Sequence, residues 1–178
     1  KGIMLGVILC LLVFLYKNMR PVVSSLSRDQ TTDLVCPISQ GGEECRHLSL
    51  VRFEGPLFFA NASYLEDKIS DMMLCKTTLR HVLIVANGIN DIDASGEETL
   101  SLIVGRLRSA GIDISLSGVN ETVMKVLVRT HLFNKIGADH IYPTVESALR
   151  QIHPPLHTEE ELTRCPLGVS AQPKTIRP

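Results

Sequence analysis

The sequence contains no tryptophan, and aromatic residues make up only 4% of it. A site that stacks bases or sugar rings needs several exposed aromatic side chains, so the composition argues against this class of function. A surplus of basic residues is also missing, since the formal net charge is -1. Proteins that hold a phosphate backbone carry a basic surface, so we expect no nucleic-acid partner.

Motifs for nucleotide binding and catalysis are missing as well. The chain has neither a G-x-x-x-x-G-K-[ST] phosphate loop nor a G-x-G-x-x-G turn. No nucleophile lies beside a base, and no set of metal ligands stands out along the sequence. We therefore predict that the protein is not an enzyme and has no catalytic residue, bound metal or cofactor.

The sequence has five cysteines, an odd number, and no C-x-x-C pair. This usage is typical of small buried thiols in a reducing, cytoplasmic compartment. A disulfide across the short segment between Cys36 and Cys45 is the alternative. The cysteines are Cys10, Cys36, Cys45, Cys75 and Cys165.

The first residues form an apolar run, Gly2 to Tyr16, without a charged side chain. A membrane helix needs about 20 apolar residues, and Lys17 and Arg20 supply a positive cytoplasmic flank. A signal peptide would need an A-x-A cleavage site, which is missing. A buried core helix is the third interpretation. We predict that residues 1–20 are the C-terminal part of a transmembrane helix and, because the chain starts with Lys1, that it is a fragment or processed product.

Beyond Pro21, segments rich in β-branched residues alternate with amphipathic stretches, which predicts an α/β fold with a mostly parallel or mixed β-sheet flanked by helices. We assign residues 21–33 to a linker, 34–152 to the folded domain and 153–178 to a disordered tail, in which Thr158 and Glu161 could cap one short helix. The predicted strands are Leu34–Ile38, Leu48–Phe53, His81–Ala86, Ile112–Leu116 and Ile141–Tyr142. The predicted helices are Ala62–Leu74, one from Ser95 to just before Gly111, one that Asn120 caps, and Thr144–Ile152. Between the last two, Phe133–Gly137 is predicted to form a turn.

Three segments resemble a known family when they are taken in order. The run Val51–Ala62 is similar to the strand-to-helix connection of STAS domains attached to SulP transporters. The segment Asp91–Gly96, followed by a helix and by Gly111–Gly118, resembles the Asp-x-Ser-Gly switch loop of these domains. Residues 12–28 are similar to the exit from the last membrane helix of such transporters. Residues 29–46 do not match the family's usual first-strand sequence.

The resemblance implies a sheet of four to six strands, as in anti-sigma factor antagonists, tethered on the cytoplasmic side of a membrane domain. It implies a regulatory and interaction role in a transporter for sulfate, bicarbonate or a related inorganic anion. The implied partners are the membrane domain of the same transporter, a second copy in a homodimer, and cytosolic proteins.

Ser95 is the strongest candidate for a functional residue, as a phosphorylation or switch site with Asp93 and Gly96 beside it. Ser95 and Glu98 have the spacing of a capping box, which would satisfy the amide groups at the start of a helix. In the related anti-sigma factor antagonists, the serine of this loop is phosphorylated, and a helix N-terminus suits a phosphate. Glu97 and Glu98 would repel that charge.

Two other sets of residues have site-like spacing. Asp91 and Asp93 could form a carboxylate pair, but two aspartates on one loop are more typical of a solvated turn. His153 and His157 have the spacing of metal ligands, but Pro154 and Pro155 prevent a helix from presenting both rings, so we expect no site there.

Two other functional classes compete with the transporter domain. One is a free-standing anti-sigma factor antagonist switched by phosphorylation of Ser95, and the other is a small α/β enzyme with an unrecognised site. The run Gly2–Arg20 discriminates against the antagonist, because a soluble switch protein has no use for it.

Overall fold

The computed structural model describes residues 2–18, 21–28, 35–37 and 44–168. It begins with helix α1, Gly2–Asn18, whose large apolar side chains from Ile3 to Tyr16 are exposed wherever they are described. Among the described residues, no helix combines the length and the apolar character needed to cross a membrane.

The domain that follows is built on a six-stranded sheet in the described part of the chain, in the order β2-β1-β3-β4-β5-β6. Strands β3 to β6 are parallel, whereas β1 pairs antiparallel with both β2 and β3. Their bounds are β1 Val22–Arg28, β2 Val35–Pro37, β3 Leu48–Glu54, β4 His81–Val85, β5 Asp113–Ser117 and β6 Ile141–Tyr142.

Helices cover both faces of the sheet, so the central strands are apolar on both sides. One face contacts α2 (Ala62–Cys75), α3 (Ala94–Ser109), α4 (Glu121–Arg129) and α5 (Leu132–Ile136). The other face contacts α6 (Val145–Ile152) and the segment that contains α7 (Glu159–Arg164). The side chains of β4 alternate between these two faces. Val82 and Ile84 point toward the layer of α2 to α5, and Leu83 and Val85 point toward α6.

Most predicted elements of the domain are confirmed within one or two residues. Asn120 caps α4 by accepting a hydrogen bond from the Val123 N–H, at 2.8 Å. The segment from Phe133 to Gly137, predicted as a turn, instead forms most of the short helix α5.

The prediction that residues 21–33 are a linker is wrong for residues 22–28. These residues form β1, in register with β3 so that Leu26 lies opposite Leu50. The sequence did not predict this strand because the serines of β1 resemble a linker. The strand forms because the neighbouring strand β3 supplies hydrogen-bond partners. Residues 29–34 lie outside the described residues.

The prediction that residues 153–178 are disordered is wrong for residues 153–168. A 3₁₀ turn at Pro154–Leu156 leads into α7, where the predicted capping box of Thr158 and Glu161 is confirmed. Leu167 is 1% exposed and lies in the apolar cluster under α6. The side chain at the end of this segment therefore anchors it to the sheet; residues 169–178 lie outside the described residues.

Candidate functional site

The start of α3 is capped by Asp93 and not by Ser95. The Asp93 Oδ1 atom accepts a hydrogen bond from the Gly96 N–H at 2.7 Å, and the helix begins at Ala94. The predicted capping box of Ser95 and Glu98 is therefore wrong. Ser95 lies in the first helical turn with its side chain exposed, so its hydroxyl is not needed to satisfy the helix N-terminus.

Asp93 also connects the helix to a second loop. Its Oδ2 atom accepts a hydrogen bond from the Phe59 N–H at 3.1 Å, and its own N–H donates to the Leu57 carbonyl at 3.1 Å. Phe59 is 74% exposed on this loop. The turn that carries Ser95 and the loop that carries an exposed phenylalanine are thus held together by one carboxylate.

Gly96 is required where α3 approaches this loop. A Cβ atom at position 96 would lie 2.4 Å from the Leu57 carbonyl oxygen, which is far inside van der Waals contact. The approach is fixed by a short parallel bridge between Leu57 and Ile92. Because both loops follow the carboxyl ends of parallel strands, this surface lies at the edge of the sheet where α/β proteins place their sites.

Asp91 and Asp93 do not form a carboxylate pair for chemistry. Asp91 Oδ1 accepts a hydrogen bond from the adjacent Ile92 N–H at 2.8 Å, and Asp93 uses both oxygens on backbone groups. This arrangement is a hydrogen-bonded turn, as the alternative interpretation held.

A second constellation lies at the opposite, amino-terminal edge of the sheet. Four potential ligand atoms, one from each residue, all lie within 4.8 Å of one another. Two of the side chains are buried and two are half-buried. The residues are Cys45, His153, His157 and Cys165.

Hydrogen bonds orient two members of this cluster. The His157 Nδ1 atom lies 2.8 Å from the His153 carbonyl oxygen, which can only accept, so Nδ1 carries the proton. The His157 Nε2 atom then faces the Cys45 Sγ atom at 3.1 Å. The His153 and His157 rings contact each other with centroids 4.2 Å apart.

The two thiols of the cluster differ in acidity. A hydrogen bond from the Cys165 side chain is the main cause that lowers the pKa of the Cys45 thiol to about 5. Backbone N–H groups of His47 and Leu48 and the His157 ring act in the same direction, whereas burial opposes them. The pKa of Cys165 is raised, first by its hydrogen bond to Cys45 and then by burial. Cys45 is therefore the thiolate-like member of the pair.

Sequence reasoning missed this cluster because it treated Pro154 and Pro155 as obstacles. The prolines instead occupy the first positions of the 3₁₀ turn, where proline is favoured, and that turn places His153 and His157 side by side. The structure therefore brings together four residues that could hold a metal ion, whereas the prediction that the protein binds no metal stays a prediction. The expectation of buried thiols holds for Cys45 but is wrong for Cys10 and Cys75, which are exposed.

Cys45 has a free thiol, and the Cys36 side chain of the alternative disulfide lies outside the described part of the chain. Cys45 precedes strand β3, whereas the other three residues of the cluster follow strand β6. The Cys45 Sγ atom contacts the ring of His157, which is 112 positions away in the sequence. The signal that could have found the cluster is the concentration of two histidines and a cysteine between residues 153 and 165.

A buried polar network lies between β4, β5 and β6. The His81 Nε2 atom is 2.9 Å from Ser115 Oγ, which is 3.1 Å from His140 Nδ1. Burial lowers the pKa of His81 to about 4, although Asp113 opposes this shift. A neutral His81 therefore contributes a hydrogen bond to the sheet interior and no charge.

Comparison with known proteins agrees with this fold. A family model described as STAS domain matches residues 43–148. Sulfate transporter 4.1, chloroplastic, of Arabidopsis thaliana is 23% identical over 161 residues, which cover 84% of this chain and 24% of the relative. Sulfate transporter 3.2 of the same plant is 28% identical over 123 residues, or 62% of this chain and 19% of the relative. The chain thus spans about a quarter of the length of the first curated relatives it matches.

Solved structures show the same fold. Murine Solute Carrier 26 family member A9, an anion transporter, matches with a TM-score of 0.72 and 21% identity over 84% of this chain and 25% of that one. The STAS domain of a SulP transporter from Vibrio cholerae matches with a TM-score of 0.54 and 24% identity over 65% and 91%. A Thermotoga maritima protein provisionally named an anti-sigma factor antagonist matches with a TM-score of 0.54 and 21% identity over 62% and 92%.

The segment that the family model matches contains strands β3 to β6, helices α2 to α5 and the loop of Asp93 and Gly96. Strands β1 and β2 of the same sheet lie just before it. Since the family model covers more than half of the sequence, the chain belongs to the STAS domain family and is homologous to SulP-type sulfate transporters.

Proposed function

We propose that this chain is the regulatory and interaction domain of a SulP-type transporter for sulfate, bicarbonate or a related inorganic anion, together with the end of the last membrane helix. The observation that carries the proposal is that an apolar helix with exposed side chains precedes a STAS fold in the same chain. The anion path would lie in membrane segments that the transporter contributes, so no residue of this domain is assigned to transport itself.

The exposed surface of α1 supports a membrane environment. Ile3 is 85% exposed, and Ile8, the least exposed of the large apolar side chains that are described in α1, is still 52% exposed. A contiguous apolar surface of this kind marks contact with a membrane or a partner protein. The alignment to sulfate transporter 4.1 extends over 161 residues and is longer than the segment that the STAS model matches.

Partition into the membrane tests this part of the proposal. We expect the full chain, produced in cells, to stay with the membrane fraction after alkaline washing. Lysines at two exposed positions of α1, Ile8→Lys with Leu12→Lys, should release it, because each charge costs about 2.5–3.5 kcal/mol at the centre of a membrane helix. The matched control Leu74→Lys, at an exposed position of α2, should leave the protein in the membrane. A wild-type chain that is soluble without detergent would contradict the membrane assignment.

The switch role of Ser95 is part of the proposal. Its side chain is exposed in the first turn of α3, so a kinase could reach it and a phosphate would lie at a helix N-terminus. The same turn is bonded through Asp93 to the loop of Phe59, whose exposed ring offers an apolar contact. Added negative charge beside an apolar docking residue changes recognition without disturbing the core.

Charge at position 95 should alter transport. In the intact transporter, we expect Ser95→Asp to change anion uptake, normalised to the amount in the membrane, while Ser95→Ala stays near wild type. Because Asp93 is the cap, both changes should shift the free energy of unfolding by no more than about 0.5 kcal/mol. Thr122→Asp, at the equivalent exposed position of α4, is the charge-matched control. Equal normalised uptake for wild type and Ser95→Asp would rule out the switch.

The alternative function is a free-standing antagonist of an anti-sigma factor, switched at the same serine. The similarity to the Thermotoga maritima protein favours it, because that fold match spans most of the bacterial chain. The exposed apolar surface of α1 weighs against it, and the partition experiment distinguishes the two.

We further propose that the domain has no catalytic activity and that its partners are the membrane domain of the same transporter, a second copy in a homodimer, and cytosolic proteins. Two observations support this assignment. The curated relatives cited above are named as transporters. The carboxylates of the switch loop are occupied by backbone groups.

A further inference from the structure

Four side chains of the kinds that bind zinc converge at the amino-terminal edge of the sheet. A tetrahedral Zn²⁺ ion with two sulfur and two nitrogen ligands has Zn–S distances of about 2.3 Å and Zn–N distances of about 2.0–2.1 Å. Its ligand atoms are therefore about 3.3–3.8 Å apart. Potential ligand atoms of Cys45, His153, His157 and Cys165 lie within 4.8 Å of one another, so movements of about 1 Å complete such a site.

The surrounding hydrogen bonds are those that a metal site requires. Ligating histidines usually donate their other ring N–H to a backbone carbonyl, and His157 Nδ1 does so to the His153 carbonyl at 2.8 Å. The Leu48 N–H donates to Cys45 Sγ at 3.4 Å, which stabilises negative charge on that sulfur. The Cys45 Sγ atom lies 3.1 Å from the His157 Nε2 atom, the ring nitrogen that carries no proton, so both atoms are placed to bind the same cation.

We propose that Cys45, His153, His157 and Cys165 form a structural Zn²⁺ site that fastens the C-terminal segment to the start of β3. The site uses all four ligands from the protein, as structural zinc sites do, and leaves no open position for catalysis. The proposal is independent of the transport role, because it concerns the assembly of the domain itself.

The surroundings allow the ion to reach the site. Cys45, His157 and Cys165 line a surface cavity of about 360 Å³. The charged residues on its wall are three carboxylates and two arginines, and the carboxylate of Glu44 also pairs with Lys76, so the wall carries no excess positive charge that would repel a cation. These residues are Glu44, Glu160, Glu161, Arg46 and Arg164.

The position of the ligands explains what the ion would do. Cys45 lies within the segment that the STAS model matches, whereas the other three ligands follow its end at residue 148. One ion would therefore join the family domain to its C-terminal extension. A disulfide between Cys45 and Cys165 is the competing use of this cluster, and it would leave both histidines without a role.

Metal content and cobalt spectroscopy test the proposal on the full chain, purified in mild detergent under reducing conditions. We expect about one zinc ion per chain by elemental analysis. Replacement by Co²⁺ should produce the intense visible bands of four-coordinate cobalt and a near-ultraviolet charge-transfer band from thiolate. Cys45→Ser, Cys165→Ser and His157→Gln should each weaken Zn²⁺ affinity by more than about 100-fold.

Two exposed residues provide matched controls, Cys75→Ser and His131→Asn, which should leave zinc content and the cobalt spectrum unchanged. The cobalt spectrum of the wild-type chain does not depend on whether a variant folds. Reduced wild-type protein that takes up neither Zn²⁺ nor Co²⁺ would overturn the proposal, as would zinc binding that survives Cys45→Ser in a folded chain. A Cys45–Cys165 disulfide that reforms in place of metal binding would also overturn it.

Discussion

Gly96→Ala should destabilise the domain by about 2 kcal/mol, although alanine is the better helix former. A Cβ atom at this position meets the backbone of Leu57, with its carbonyl oxygen at 2.4 Å and its carbonyl carbon at 2.9 Å. Backbone atoms cannot rotate away as a flexible side chain can. The start of α3 must therefore move, which breaks the hydrogen bond from the Asp93 N–H to the Leu57 carbonyl. Denaturant unfolding of the full chain in detergent measures the loss.

Gly105→Ala is the matched control on the same helix. Its Cβ atom would meet only the Lys135 Nζ atom, at an ordinary contact distance of 3.7 Å. Alanine should therefore stabilise the domain here by about 0.5–1 kcal/mol, through the lower entropy of the unfolded chain. Stabilisation by both substitutions would contradict this geometry, because it would show that α3 does not approach the Leu57 loop closely.

Leu167→Ala should cost about 2–4 kcal/mol, because it removes a side chain that is 1% exposed from the cluster beneath α6. The same cluster contains Leu48 of β3 and Leu149 of α6, so Leu167 belongs to the apolar packing that connects the extension to the sheet. We also expect faster trypsin cleavage after Arg164, since the segment detaches more often once its apolar anchor is shortened. The unfolding free energy and the cleavage rate are measured on the same preparations.

Leu74→Ala makes the same chemical change at a position that is 80% exposed, and its effect should stay within about 0.5 kcal/mol. If Leu167→Ala costs no more than this control and cleavage is unchanged, residues 153–168 do not pack on the domain. In that case the sequence-based assignment of this whole segment to a disordered tail would be correct.

Local patterns in the sequence determined most of the α/β domain. The β-branched run His81–Val85 predicts a strand because β4 is buried on both faces and is apolar throughout. The stretch that follows predicts helix α3 because one buried face gives apolar residues at helical spacing. The cap at Asn120 was predicted because a capping side chain bonds to an amide only three residues away. The order of the motifs also indicated the STAS family, which the family model confirms.

Only the tertiary structure decided the features that depend on contacts between distant segments. Asp93 caps α3 in place of Ser95 because the loop of Leu57 and Phe59 fixes where the helix begins. Strand β1 exists because β3 supplies partners for a polar sequence that has no strand signature of its own. Cys45 meets His157 across 112 positions, and no local pattern records a contact that long-range packing creates. The sequence by itself therefore determined the family and the core elements, whereas packing decided the geometry of the loop of Asp93 and Ser95 and the cysteine–histidine cluster.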